Sequence, residues 1–148
     1  MPKNSFMDLA IEEAEAAAER GEVPVGAVIV LDGKVISRAG NETRASNDVT
    51  AHAEILAIRR ASEVLGQERL TDADLYVTLE PCTMCAGAIS FARIRRLYIG
   101  AEDEKGGGVF YGARFFEQPT CHHKPEVYSG FQSEKCTKIL RDFFRSQR

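Results

Sequence analysis

Nowhere in the 148 residues does an apolar run approach the ~18 needed to cross a bilayer, so no helical membrane anchor is expected. The N-terminal stretch reads as an acidic helix without the basic start and apolar centre of a signal peptide, and a cytoplasmic location is the expectation. Cysteine is scarce, at four residues, and a chain of this size with 44% hydrophobic residues needs no disulfide staples. In a reducing compartment those thiols stay available for metal. There is no internal repeat and no linker-like segment, so residues 1–148 are expected to form a single domain that buries roughly two-thirds of its unfolded surface. Basic excess is missing too. A net charge of −3 excludes a general polyanion binder. Residues 1–40 carry four bases against seven acids, whereas 134–148 carry five bases against Glu134 and Asp142, so contact with nucleic acid needs a local patch.

From Ser5 to about Arg20, Phe6, Leu9, Ala10, Glu13, Ala14 and Ala17 recur at helical spacing, with Ser5 as N-cap and Gly21 as stop. Val25 to Leu31 and Lys34 to Arg38 read as two strands joined by the hairpin turn Asp32-Gly33. After a polar loop from Asn41 to Asp48, a helix is predicted from about Ala51 to Leu65, with Ile55, Leu56 and Ile58 as its apolar positions and Gly66 closing it. Leu75 to Leu79 is a short buried strand. Pro81 suits the first turn of a helix continuing to Ala92. Leu97 to Gly100 is a fourth strand, Ala101 to Gly112 a loop, Ala113 to Glu117 one helical turn and Glu126 to Ser129 a fifth strand. Ser133 to about Arg145 closes the chain as an amphipathic helix with Cys136, Ile139, Leu140, Phe143 and Phe144 as apolar positions. Strands alternating with helices point to a layered α/β fold.

The chemistry is concentrated in His52-Ala53-Glu54 and, 30 residues after the histidine, Cys82 with Cys85 in Pro81-Cys82-Thr83-Met84-Cys85. One imidazole and two thiols form a three-ligand zinc set, and a fourth position left to water marks a catalytic zinc. Two thiolates and a neutral imidazole cancel the charge of the ion, whose bound water still loses a proton near neutral pH. Helix N-termini at the ligands favour thiolate over thiol. Glu54 lies about 200° round an ideal helix from His52, so the two do not share one coordination sphere, and its carboxylate is placed to move protons. A Cys-x-x-Cys alone is often half of a structural zinc site, and a lone buried histidine is more often core than ligand. The two motifs together are far more specific.

His-x-Glu followed by Pro-Cys-x-x-Cys resembles the signature of the zinc-dependent cytidine deaminase-like superfamily. The wider text, Glu22-Val23-Pro24-Val25-Gly26-Ala27, Thr50 to Glu54, and Thr78-Leu79-Glu80-Pro81 to Ala88, is similar to the bacterial tRNA-specific adenosine deaminases. That likeness extends with breaks to Asp142-Phe143-Phe144-Arg145. The resemblance, rather than the spacing, implies a three-layer α/β fold with a mixed five-stranded sheet flanked by helices. It also implies a homodimer, one zinc ion per subunit and hydrolytic deamination of adenosine to inosine at the wobble position of a tRNA anticodon loop. Carried over by position, His52, Cys82 and Cys85 bind zinc and Glu54 shuttles protons. Asn41 hydrogen-bonds the purine edge, and the Ala53 amide holds the oxygen formed at the attacked carbon. Asp103, Lys105, Phe144 and Arg145 lie near the RNA backbone, and Val23-Pro24-Val25 walls the base. An unpaired anticodon base reaches such a pocket at low cost, with Lys105, Arg145 and Arg148 as bases for the RNA.

Two rivals remain at this level. A deaminase of free guanine or cytosine shares the zinc motif, but Asn41, the Glu80–Ala88 text and the Asp142–Arg145 ending favour tRNA. A zinc-stabilised RNA-binding scaffold has no use for Glu54. Val109 to Phe116 departs from the family text in a segment expected among the substrate-side loops. Cys121-His122-His123 lacks the paired spacing of a second metal site, so a core or anticodon-facing role for His123 is more economical. Arg93, Arg95 and Arg96 suit packing or a dimer contact.

Overall fold

The structure is a computed structural model that describes residues 5–147. Helix α1 (Ser5–Glu19) leads into a hairpin of β1 (Gly26–Leu31) and β2 (Lys34–Gly40), turned by Asp32 and Gly33 at φ 52° and 76°. Two positive φ values make the tight turn whose twist matches paired strands. Then come α2 (Ala53–Leu65), β3 (Asp74–Leu79), α3 (Thr83–Ala92), β4 (Arg96–Ala101), a 3₁₀ turn (Phe115–Glu117), β5 (Glu126–Tyr128) and α4 (Ser133–Ser146). The strands form one sheet in the order β2-β1-β3-β4-β5. β1 is antiparallel to β2 and β3, whereas β3, β4 and β5 are parallel.

Alternation along β1 divides the core in two. Ala27 and Ile29 join Ala53, Ala57, Ala61, Ala86 and Ile89 of α2 and α3 in the larger cluster, which also holds Leu75, Val77, Leu97 and Ile99. Val28 and Val30 face the other way, onto Met7, Ala10 and Ile11 of α1 and Cys136 of α4. Helices therefore cover both faces. Contact on the α1 side is close because β1 and β2 carry glycine there: a Cβ on Gly26 would collide with the Ala10 carbonyl oxygen, and one on Gly40 would lie 2.7 Å from that of Glu13. The chain has no tryptophan. Tyr76, Tyr98 and Tyr128 instead stack across β3, β4 and β5, with ring centroids 4.4 and 5.3 Å apart, and Phe131 meets Tyr98 edge-on.

Several expectations shift. The fully buried stripe of α1 keeps Ala10, Ala14 and Ala17 as expected and adds Met7 and Ile11, while Phe6, Leu9 and Glu13 lie half-buried at its margin. Helix α2 begins at Ala53, leaving His52 as an extended N-cap (φ −73°, ψ 154°) rather than a first-turn residue. Helix α3 begins at Thr83 with Cys82 as N-cap (φ −71°, ψ 175°), so Pro81 precedes the cap. In α4 only Cys136 is buried, and Phe144, expected on the apolar face, is 50% exposed. Val109 and Phe116 are core residues, with Phe110 and Phe115 packed against them, so the Val109–Phe116 segment is anchored in the larger cluster rather than displayed as a free loop. The cap expected of the Ser5 side chain, and Arg148, lie outside the described residues. Among those described, no helix is long and apolar enough to cross a membrane.

Replacing Gly26 by alanine drives a methyl group into α1 and is expected to cost about 1–3 kcal/mol, as overpacking does, read as a lower urea midpoint with an unchanged slope.

Candidate active site

Helices α2 and α3 start beside one another, and their caps carry the chemistry. The carbonyls of His52 and Cys82 accept the first helical hydrogen bonds, from Leu56 N–H at 3.0 Å and Ala86 N–H at 2.9 Å. Neither side chain makes a cap hydrogen bond, which leaves the imidazole and the thiol free to turn towards each other. His52 Nδ1 lies 3.7 Å from Cys82 Sγ and 3.5 Å from Cys85 Sγ. The three donor atoms all fall within 4.8 Å of one another, the one such group among the described residues that could hold a metal ion. Zn–S and Zn–N bonds at tetrahedral angles put sulfur and nitrogen about 3.6 Å apart, so both nitrogen–sulfur separations match a tetrahedral ion.

Protons on this trio are already unevenly shared. Hydrogen bonding, first from Cys85 and then from His52, lowers Cys82 to about 4, while the same bond with Cys82 pushes Cys85 up. The Cys82 sulfur also raises His52. Glu54, 4% exposed in the first turn of α2, is pushed up to about 7, chiefly by burial. Its carboxyl can therefore hold or release a proton at neutral pH.

The trio and Glu54 open into a cavity of about 250 Å³ walled by Val23, Val25, Asn41, Leu79 and Asp103, with room for one planar heterocycle. Asn41 Oδ1 accepts the Ala53 N–H at 2.8 Å, and its Nδ2 donates to the Val23 carbonyl at 3.1 Å. The two groups that the resemblance gives separate substrate roles are thus bonded to each other here. Asp103 Oδ1 accepts the N–H groups of Lys105 (3.2 Å) and Gly106 (3.0 Å), shaping its own loop. A second hollow of about 490 Å³ shares Val23, Leu79, Asp103 and Gly106 with the first and brings in Lys105 and Phe144. Arg145 is exposed and lines neither.

Away from the cavity, His123 Nε2 lies 2.8 Å from the Ile94 carbonyl, and Cys121 Sγ contacts the Ser90 hydroxyl and the His123 carbonyl, so this cluster ties the chain to α3. Arg95 pairs with Asp74 at 2.8 Å, and Arg93 closes α3 at φ 64°. Two buried acids escaped the motif reading. Glu22, 1% exposed, accepts Arg44 N–H (3.2 Å) and Ala45 N–H (2.8 Å) and so holds the loop ahead of α2. Glu80, 2% exposed, has a comparable place beside α3 and, unlike the residues just described, lines the cavity itself. Their signal was an acid inside otherwise apolar text.

A model of the MafB19-like deaminase family matches residues 1–148. The tRNA-specific adenosine deaminase of Agrobacterium fabrum (strain C58) is 68% identical over 146 residues, 99% of this chain and 96% of that protein. A solved structure from biochemical and structural studies of A-to-I editing by tRNA:A34 deaminases at the wobble position is also 68% identical. It covers 93% of this chain and 100% of its own, with a TM-score of 0.92. A guanine deaminase from Nitrosomonas europaea, 20% identical, shares the fold with a TM-score of 0.82 over 96% of this chain and 84% of its own. The architecture is the three-layer cytidine deaminase-like fold, with a mixed five-stranded sheet.

An acid shifted upward from 4.5 to about 7 on folding gives stability that is complete below 4.5 and lost as pH rises through about 7. For chelator-treated protein, Glu54→Gln should therefore be more stable than wild type at pH 8, by a few kcal/mol at most, with the gap closing towards pH 4.5 in a calorimetric series.

Proposed function

The chain belongs to the MafB19-like deaminase family and to the tRNA-specific adenosine deaminases, and from that membership we propose that it converts adenosine to inosine at wobble position 34 of tRNA. The observation that carries the reading is the meeting of the His52, Cys82 and Cys85 donor atoms beside a buried Glu54. These three residues are the proposed zinc ligands, one ion per subunit. When bound, the ion supplies the Lewis acidity that makes a water nucleophilic near neutral pH.

Glu54 does the proton work. Its carboxylate takes a proton from the attacking water and delivers it to the purine N1. As the C6–O bond forms and the C6–N bond breaks, it relays the second proton to the amine, which leaves as ammonia. Asn41 holds the Ala53 amide at the start of α2 and keeps both within reach of the base. Val23, Val25 and Leu79 give the base apolar walls that exclude competing water. An anticodon base is already unpaired, so turning it into the cavity costs only a few kcal/mol. Asp103 and Lys105 on the loop after β4, with Phe144 and Arg145 on α4, receive the flanking RNA.

Residues 1–148 act as a single domain, in the cytoplasm, as a homodimer. Supporting the dimer, Phe91 on the outer side of α3 is 76% exposed and Met84 39%, beside an apolar groove of about 520 Å³ that includes Ile55 and Phe115. A patch of this kind on a soluble surface marks an interface.

Incubation with an anticodon stem-loop carrying adenosine at position 34 should release ammonia and leave inosine; turnover of free guanine or cytosine without inosine formation would overturn the reading. Glu54→Ala should keep its zinc and lose about 10²–10⁴-fold in kcat, whereas Cys82→Ser and Cys85→Ser should lose the metal itself, measured by atomic absorption. Phe91→Glu should shift the light-scattering mass from dimer towards monomer; an unchanged mass would move the interface elsewhere.

A further inference from the structure

Glu80 is 2% exposed and stands between the end of β3 and Pro81, two residues before Cys82. Both its carboxylate oxygens are bonded to the loop that follows β4. Oε1 accepts the Asp103 N–H at 3.0 Å, and Oε2 accepts those of Val109, Phe110 and Tyr111 at 3.1, 2.9 and 3.2 Å. One side chain thus gathers both ends of a nine-residue loop, 103–111, onto the lead-in to α3. The loop is seated flush there. Gly108 N–H donates to the Pro81 carbonyl at 2.8 Å, and a Cβ on Gly108 would lie 2.5 Å from Thr83 N. A Cβ on Gly107 would strike Glu80 Oε2 itself. Asp103 and Gly106 of this loop wall the cavity, and Lys105 walls the hollow beside it.

Resting on the proposed activity, we infer that Glu80 is a positioning residue: it fixes the RNA-side wall relative to Cys82 and thereby sets how tightly substrate is held, not how fast it reacts. The acid is needed for its acceptors. A carboxylate offers lone pairs to all four N–H groups, whereas glutamine offers one acceptor oxygen and turns a donor on the remaining N–H. Removing the acceptor leaves buried amides without partners. The metal trio, bonded within itself, does not depend on the oxygens of Glu80.

The test uses full-length zinc-loaded Glu80→Gln. Zinc content, amide hydrogen exchange over 103–111, steady-state kinetics and affinity for the position-34 stem-loop are measured beside wild type. Expected are wild-type zinc content, exchange at least about tenfold faster at the loop amides that face the new NH2 group, and KM about tenfold higher with kcat within about twofold, the pattern of lost uniform binding. Gly107→Ala disturbs the same bond from the loop side and should give the same split, which keeps the test decisive if Glu80→Gln fails to fold. An unchanged KM, or a fall in kcat accompanied by zinc loss, overturns the inference. If wild type itself leaves the RNA unconverted, the functional reading falls, while the affinity and exchange comparisons still decide the role of Glu80.

Discussion

Three donor atoms from two separate stretches meet only if two helices start at one place, and that requirement organises this fold. β3 and β4 run parallel, so α3 must leave the sheet at the end of β3, and the hairpin returns the chain so that α2 begins alongside. An N-cap residue has extended backbone while its carbonyl already serves the helix, so its side chain is turned back over the helix start. His52 and Cys82 both occupy that position, and Cys85 follows one turn inside α3. The positive ends of two helices thus face the thiols, the environment in which a thiolate is favoured. Glu54 enters the same space from within α2, where burial lifts its proton affinity.

The motif and the succession of strands and helices along the chain were legible in the sequence because each leaves a local mark: β-branched runs, Asp32-Gly33, and ligand types at fixed separation. The starts of α2 and α3 were displaced by two residues because a capping position looks helical in a periodicity count, although its backbone is extended. The buried face of α2 was harder to see. It is made of Ala53, Ala57 and Ala61, which let the helix lie close on the sheet, while the conspicuous Ile55, Leu56 and Ile58 stand half-buried at its margins. Small size, not hydrophobicity, decided that face. Asn41 was found as a residue, but its bond to the Ala53 amide is a long-range contact that no pattern encodes.

Glu22 and Glu80 show another way in which a site is built. Each is a buried acid whose partners are backbone N–H groups of an irregular segment. Loops cannot satisfy their own amides as helices and strands do, so a loop brought against the core needs acceptors supplied from elsewhere. A carboxylate does this for several amides at once and fixes their direction. The cavity walls are held by polar pins set in a hydrophobic frame.

The tyrosine stack across β3, β4 and β5 has an optical consequence. With no tryptophan in the chain, near-ultraviolet absorption and emission come from four tyrosines, three of them in that stack and the fourth, Tyr111, at the end of the loop pinned by Glu80. Light from the protein therefore combines contributions from two places. One reports whether the short edge strand is docked on the sheet, and the other reports the loop beside the cavity, with no indole to mask either.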